Sequence, residues 1–529
     1  MIVLALSTIA LLGALFVSRL RRSEALGERL GQVEHWLRRW GPLVTAILSI
    51  AVVWIAWDAL IPVPKVHDEN SYLLQAEIFA RGRWTLPSPP LPEFFEQPHV
   101  QVVPVVASKY PPGHALLLTL GALVGFPALV PLLLTGLTSA LLFALSNRVT
   151  NPWVALLTWL TWISAPIVLR FQPGYFSEVT TTLLVLGSWW SLLEWRLTRR
   201  TRWIAFVALA VGWGALTRPL TMLAFAIPIG IVVIRDVVTL RLWRDLGIAF
   251  AVGLAVLSIL PLWSARTTGD WKLSPIEKYR LDYLPFDKMG FTPDTTPPRR
   301  GVNPVLKSTY DYFLDARKQQ RVVTLPQIFG DRLLNIAIAF FQGARLPLLP
   351  FAVAGLLLAS APVLFGALST LVLFIAYLPY AHWAPWTIYY LEAMPLLACV
   401  TALGIWRALE RLAASEGRAR AGAAFVTGVL VVVAMPTIVR WRRDHETRSG
   451  LDRAFAAELK KLPPHSIVFI KYSPRVVQHM SVVLNYPDLD KAPVWVVHDL
   501  GARNEELRRI APDRASFDFD EDQLVNRRR

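Results

Sequence analysis

Long apolar runs alternate with short basic connectors along most of the chain. Most runs are close to the roughly 20 residues that cross a bilayer as a helix, although several are shorter, and arginines crowd the connectors, as at Arg196, Arg199 and Arg200. This pattern predicts a polytopic helical membrane protein with about twelve spans. The predicted spans cover residues 2–18, 43–60, 128–146, 153–169, 177–195, 203–217, 220–234, 246–263, 346–359, 363–380, 388–406 and 422–440.

The basic connectors also predict the direction of each span. With arginine-rich connectors in the cytoplasm, segments 61–113, 264–345 and 441–529 lie on the outer side of an inner (plasma) membrane. The chain then divides into a transmembrane domain, residues 1–440, and a C-terminal extracytoplasmic domain, residues 441–529. We expect the first span to be retained, because basic residues follow it and no clear signal-peptidase site is present.

The first outer segment predicts two helices separated by extended chain. HDENSYLLQAEIFARGRW has apolar residues at helical spacing, which predicts a helix lying along the membrane interface. The prolines of PSPPLPEFFEQP exclude a regular helix, and a second short apolar helix follows SKYPPG.

The C-terminal segment has the pattern of a small α/β unit. Residues 466–472 and 494–497 read as strands, and residues 452–462 read as a polar helix before them. The predicted fold class is therefore an all-α polytopic membrane protein. Its outer loops carry interfacial helices, and a small α/β domain closes the chain.

The amino-acid composition argues against several classes of function for this chain. Of 529 residues, 54% are hydrophobic and 17% charged, which excludes an ordinary soluble enzyme. A net charge of +16 would suggest nucleic acid in a soluble chain, but the arginines sit in connectors, so we expect no nucleic-acid partner. The single cysteine, Cys399, lies in an apolar run, and the histidines lack ligand spacing, so no metal site is predicted.

Ionisable and tyrosine side chains gather at the span ends on the predicted outer side. Charged groups near a membrane are costly, so their placement on one side points to function. Together, carboxylates and cations at one level suit a reaction between a lipid-linked anionic donor and a water-side acceptor. The candidates are Asp68, Glu69, Lys109, Tyr110, Arg170, Glu178, Arg218, His382, Tyr389 and Tyr390.

Four stretches of the chain resemble a known superfamily. DENSYLLQAEIFARGRW followed by ASKYPPGHALLL, then TRPLTMLAFAIP and YYLEAMPLLA, are similar to the GT-C integral-membrane glycosyltransferases. The nearest branch comprises bacterial relatives of dolichyl-phosphate-mannose protein mannosyltransferases and of the lipid A aminoarabinose transferase. The resemblance covers approximately residues 40–440. It implies a GT-C fold and inverting transfer of a hexose or pentose from a polyprenyl-phosphate donor, on the extracytoplasmic side, to a hydroxyl of a glycan, lipid or protein.

The resemblance and the residue types together suggest roles for the candidates. Asp68 matches the acid proposed as catalytic base in the superfamily, and Glu69 would support it. Cations are needed to meet the leaving phosphate. Lys109, Tyr110, Arg170 and Arg218 are therefore predicted to bind the donor phosphate, and Glu178, His382, Tyr389 and Tyr390 to line the acceptor pocket.

Simpler roles remain open for several of these residues. Arg170, Arg218 or Lys109 could be an interfacial cation that only anchors its span, and Glu178 could cap its helix. No cofactor is required by this scheme, although some relatives bind a divalent cation near the acidic motif.

Two other classes of function compete with the enzyme. A transporter or lipid flippase should show ionisable residues near the bilayer midplane and paired broken helices in two related halves. The predicted spans are apolar at mid-span, with the acids at one face. This favours an interfacial enzyme over a transporter, and the presence of the acidic pair argues against an inactive assembly partner.

Overall fold

The computed structural model describes residues 12–13, 16, 23–57, 62–292, 296–301, 303–472 and 481–520. The predicted first span, 2–18, lies almost entirely outside these residues, as do the end of the second span and the last nine residues of the C-terminal domain.

The described chain is mainly helical. Proline often stands in the first turn, where its missing N–H removes no helical hydrogen bond. The helices are α1 Ser23–Ala56, α2 His67–Ala80, α3 Gly113–Leu123, α4 Leu129–Val149, α5 Pro152–Ile163, α6 Pro166–Phe171, α7 Ser177–Thr198, α8 Thr201–Thr217, α9 Pro219–Leu240, α10 Trp243–Leu257, α11 Ile259–Thr268, α12 Pro275–Tyr283, α13 Pro304–Gln319, α14 Leu325–Phe341, α15 Leu349–Leu357, α16 Ala361–Tyr377, α17 Met394–Leu412, α18 Glu416–Leu459 and α19 Asn504–Ile510.

The apolar helices make this a multi-pass membrane protein. Among the described residues, seven helices are long and apolar enough to cross a bilayer, or eight if the bent pair Gly343–Leu357 and Ala361–Tyr377 counts as one span. Each predicted span from residue 43 onward overlaps a helix of the structure. The polytopic helical fold is therefore confirmed, while the count of about twelve remains a prediction.

Two ion pairs each connect helices at ends that the sequence predicts to be cytoplasmic. Arg420 of α18 pairs with Glu34 of α1 at 3.1 Å, and Arg196 of α7 pairs with Asp236 of α9 at 3.0 Å. These four residues lie in or beside predicted cytoplasmic connectors. The contacts thus agree with the predicted alternation of the spans.

Helices α15 and α17 approach each other at two glycines. A Cβ atom on Gly355 would lie 1.8 Å from the carbonyl oxygen of Val400, and one on Gly404 would lie 1.9 Å from that of Phe351. Only glycine permits this backbone contact, which is a common way to pack membrane helices without a hydrophobic driving force.

The second outer segment contains an apolar helix that the sequence pattern did not reveal. Val322–Phe341, which includes α14, is long and apolar enough to cross a membrane. Arg332 interrupts its apolar run, but the guanidinium is buried and donates to the carbonyl oxygens of Tyr377 at 2.7 Å and Tyr380 at 2.8 Å. A guanidinium whose N–H groups are hydrogen-bonded to backbone carbonyls can be accommodated in an apolar helix.

The first outer segment folds much as predicted. Its helix α2 and the short apolar helix α3 are both present, with a 3₁₀ helix at Pro92–Phe95 in the proline-rich stretch. The short strands β1 Leu86–Pro87, β2 Val100–Gln101 and β3 Val105–Ser108 form an antiparallel sheet in the order β1-β3-β2. Because α2 packs on this sheet and on α3, many of its residues are buried within the protein.

The C-terminal segment forms a parallel sheet. Strands β4 Ser466–Lys471, β5 Val494–His498 and β6 Ala515–Asp520 pair in the order β5-β4-β6, and α19 precedes β6. The predicted helix at 452–462 is present as the end of α18, which runs unbroken to Leu459. Gly450 lies inside α18 without ending it, and the chain leaves helical structure just before Pro463 and Pro464, which cannot continue a helix.

Candidate active site

Asp68 occupies the first turn of α2, at the end of the bundle that the sequence predicts to be outer. Its side chain is 34% exposed, with Nε2 of His99 3.4 Å from Oδ2. The hydroxyl of Tyr110 donates a hydrogen bond to Oδ1. Asp68 is therefore a held carboxylate that solvent and ligands can still reach.

Glu69 points the other way. It is 1% exposed and accepts hydrogen bonds from the backbone N–H groups of Lys65 at 2.7 Å, Val66 at 3.3 Å and Tyr175 at 2.8 Å. Burial raises the pKa of this carboxyl, and the charge of Lys65 and the backbone hydrogen bonds oppose that rise. The contacts favour a structural role, joining the start of α2 to the loop before α7.

Lys109 follows β3 and is buried beside Asp68. Its ammonium lies 5.1 Å from the ring centroid of Tyr110 and 4.9 Å from that of Tyr279. Burial lowers the pKa of Lys109, while the charges of Asp287 and Asp68 act in the opposite direction. Within the described part of the chain, this ammonium makes no hydrogen bond and no ion pair, so its N–H donors are available to an anion.

Tyr72 connects the surroundings of Asp68 to the start of α7. Its ring stacks on Tyr110 with centroids 4.8 Å apart, and its hydroxyl donates to Oγ of Ser177 at 3.0 Å. Ser177 in turn donates to Oε2 of Glu178 at 3.1 Å. Polar contacts and ring stacking therefore run without a break from Asp68 to Glu178.

Arg218 lies between α8 and α9 and is bound by two carboxylates. Its guanidinium donates to Oε1 of Glu178 and lies 3.6 Å from Oε1 of Glu392. It also donates to the hydroxyl of Tyr377 at 2.9 Å and to Oγ1 of Thr221 at 3.2 Å. Every nitrogen of this guanidinium therefore has a protein partner, unlike the ammonium of Lys109.

An aromatic wall closes the site on the side of α16 and α17. The Tyr389 ring centroid lies 5.8 Å from Cζ of Arg218 and 4.7 Å from the ring of His382. Tyr390 is fully buried and stacks on Phe374 at 4.4 Å, and its hydroxyl lies 3.1 Å from Nε2 of His382. Of these predicted pocket residues, Tyr389 lies nearest to the charged groups.

Arg170 is exposed at the end of α6. Its Cζ lies 5.1 Å from the ring centroid of Phe171. An exposed cation beside a partly buried aromatic ring is typical of an interfacial anchor, so its position favours the anchoring interpretation.

The structure adds residues that the sequence reading did not select. Glu392 lies inside YYLEAMPLLA at the start of an apolar run, and the rule that selected Glu178 could have found it. Asp287 and His99 belong to long loops, and no spacing pattern predicts that they reach this site. Across the described residues, no group of three or more His, Cys, Asp and Glu side chains is close enough to hold a metal ion.

The helical bundle that carries this polar site has a fold known from a solved structure. Specifically, the chain shares the fold of ArnT from Cupriavidus metallidurans, solved bound to undecaprenyl phosphate, with a TM-score of 0.53 and 16% identity. The match covers 91% of this chain and 90% of ArnT. The fold implied by the sequence resemblance is therefore confirmed.

A second structure is similar to a lesser degree. AglB from Archaeoglobus fulgidus, solved with an inhibitory peptide and a dolichol phosphate, matches with a TM-score of 0.44 and 13% identity, over 78% of this chain and 56% of AglB. No family model and no curated protein matches the chain.

Proposed function

We propose that this chain is an inverting glycosyltransferase that moves a sugar from a polyprenyl-phosphate donor to an acceptor hydroxyl on the extracytoplasmic side of the inner membrane. The observation that carries the proposal is the partly exposed carboxylate of Asp68 beside the buried cation Lys109, at the outer end of the bundle. A hydroxyl is not ionised at neutral pH, so a carboxylate must take its proton as the glycosidic bond forms. The solved ArnT complex with undecaprenyl phosphate supports the choice of donor class.

Lys109 is the cation we assign to the leaving phosphate. Its ammonium stands between two tyrosine rings with its donors available, whereas the guanidinium of Arg218 is occupied by protein groups. As the bond to the sugar breaks, negative charge builds on the phosphate, and a cation in a dry site stabilises it. In this proposal the reaction requires no cofactor.

Arg218, Glu178 and Glu392 then form the supporting frame of the site. Tyr389 lies against this frame and offers a ring face on which a sugar can stack. These charged groups lie at helix ends, a position that suits interfacial chemistry better than the midplane site of a transporter.

The direct test is consumption of a lipid-linked sugar. The purified chain, in liposomes with envelope lipid extract as acceptor source, would be offered undecaprenyl phosphates that each carry one hexose or pentose. We expect release of undecaprenyl phosphate from one donor of the panel, with the sugar appearing on an extract component. Release from none of them would count against the proposal.

Removal of the Lys109 charge should slow turnover. A charge-assisted contact contributes about 1.5–3 kcal/mol, so Lys109→Gln is expected to be about 10- to 150-fold slower. Because charge develops on the phosphate in the transition state, part of the loss should appear in kcat and not only in KM. Arg81→Gln, an exposed cation at the end of α2, is the matched control. Wild-type kcat in Lys109→Gln would place the phosphate elsewhere.

The proposed sidedness can be tested with cysteine labelling. In a Cys399→Ala background, Lys491→Cys should react with a membrane-impermeant maleimide in cells whose outer membrane alone is permeabilised. Lys491 is 83% exposed in the C-terminal unit. Arg411→Cys, exposed on the predicted cytoplasmic side, should react only after the inner membrane is lysed. The reverse labelling pattern would overturn the orientation.

A further inference from the structure

Two phenylalanines of the first outer segment complete the core of the C-terminal unit, which consists of β4, β5, β6 and α19. Phe94 and Phe95 are 0% and 3% exposed. Phe94 lies 6.2 Å from Phe469 of β4, and Phe95 lies 5.6 Å from Trp495 of β5, measured between ring centroids. The same core includes Ile467, Val497, Leu507 and Ala511. Burying two aromatic side chains makes this a strong attachment.

Hydrogen bonds fix the chain that follows these phenylalanines. Nδ2 of Asn485 donates to the carbonyl oxygen of Phe95 at 2.8 Å, and the backbone N–H of Asn485 donates to Oε1 of Gln97 at 2.8 Å. Nε2 of His498 donates to the carbonyl oxygen of Glu96 at 2.6 Å. The C-terminal unit therefore holds three successive residues of the first outer segment.

The second outer segment also binds this part of the first outer segment, through the side chain of Glu96. This carboxylate accepts hydrogen bonds from the hydroxyl of Tyr283 at 3.1 Å and from Nδ2 of Asn303 at 3.2 Å. Burial raises the pKa of Glu96 to about 7, against the opposing charge of Arg300. All three outer parts of the protein meet at this residue.

The fixed chain leads directly to His99, whose backbone is in the left-handed region with φ of 67°. A residue other than glycine adopts this conformation at a cost, and it persists only when its surroundings impose it. Here the N–H of His99 donates to the hydroxyl of Tyr279 at 3.0 Å, and its carbonyl oxygen accepts from Oγ of Ser71 at 2.8 Å and from the N–H of Lys109 at 3.1 Å. The turn directs the imidazole toward Asp68.

We propose that the C-terminal unit positions the carboxylate of Asp68 through residues 94–99, with His99 as the positioning residue. The inference rests on the proposed function. His99 lies against Oδ2 of Asp68, so this oxygen is held by chain that the C-terminal unit anchors, while Tyr110 binds Oδ1 from the chain that follows β3. Precise placement matters because a displacement of about 1 Å in a reacting group can cost on the order of 10²-fold in rate.

The first arm of the test removes the imidazole and keeps the turn. Glycine adopts positive φ without steric cost, so His99→Gly should preserve the backbone. We expect kcat to fall about 10- to 100-fold, while KM for the donor stays within about twofold. His99→Gln returns an N–H near the position of Nε2 and should recover part of the lost kcat. The probe is whichever undecaprenyl-phosphate sugar the wild type consumes.

The second arm breaks the attachment to the C-terminal unit. Phe95→Ala removes a ring that links the two parts, whereas Val496→Ala truncates a buried residue on the opposite face of the same sheet, beside Phe455 and Val468. Both variants should loosen the C-terminal unit, but only Phe95→Ala should lower kcat per folded molecule. Hydrogen exchange across residues 96–110 should likewise quicken only in Phe95→Ala.

The outcomes separate this inference from the proposed function. Equal kcat and equal exchange in Phe95→Ala and Val496→Ala, or wild-type kcat in His99→Gly, would overturn the positioning role. If Asp68→Asn is inactive in the same assay, the proposed function survives that result. An active Asp68→Asn would instead remove Asp68 as the base, whatever the His99 variants show.

Discussion

Asp68→Asn is expected to lose about 10²- to 10⁴-fold in turnover while the protein folds and binds donor normally. The amide keeps the size of the side chain and can still accept the hydrogen bond from Tyr110, but it cannot take a proton from the acceptor hydroxyl. The loss should appear in kcat, with little change in KM for the donor. Release of undecaprenyl phosphate from the consumed donor, per folded molecule, measures it.

Glu69→Gln is the matched control, because it makes the same chemical change at the adjacent residue. Glu69 accepts three backbone hydrogen bonds in a buried position, so its replacement should lower the midpoint of thermal unfolding. Turnover of the folded fraction should stay far above that of Asp68→Asn. A kcat loss in Glu69→Gln as large as that in Asp68→Asn would contradict the different roles of the two acids.

The sequence reading recovered the membrane architecture because bilayer physics leaves a strong periodic signal. Apolar runs of span length appear as helices, and α2 and α3 of the first outer segment appear where the pattern places them. The prediction failed where a contact made only in the folded protein allows a charged residue inside an apolar helix. The apolar helix Val322–Phe341 was not predicted: Arg332 interrupts its apolar run, and the carbonyl oxygens of Tyr377 and Tyr380 accept hydrogen bonds from its guanidinium.

The sequence selects several residues that the structure brings together, but it does not predict how they pair. The adjacent acids Asp68 and Glu69 face different ways, Asp68 toward His99 and Glu69 toward the backbone N–H of Tyr175. The sequence does not predict which of the two cations is already bound by protein carboxylates. Lys109 and Arg218 look equivalent in the sequence, and only the fold brings Glu178 and Glu392 to Arg218. The contribution of His99 depends on a turn fixed by the distant C-terminal unit.

The arrangement of two carboxylates around one guanidinium gives Arg218 a large expected effect on stability. Glu178 and Glu392 are 4% and 1% exposed, so Arg218→Gln would leave both carboxylates buried without their cation. Removing one partner of a buried ion pair typically costs about 3–5 kcal/mol. We therefore expect Arg218→Gln to unfold at a clearly lower temperature in detergent than the wild type.

A second substitution should reverse much of that loss. Arg218→Gln combined with Glu178→Gln removes one of the stranded charges, and an amide at residue 178 can still accept from Ser177. Recovery of the unfolding midpoint in the double variant would show that the cost came from unpaired carboxylates. If Arg218→Gln instead unfolds like the wild type and raises KM for the donor, the guanidinium binds the phosphate. Lys109 would then share that role, and Glu178 and Glu392 would have to be stable as buried acids without a cation.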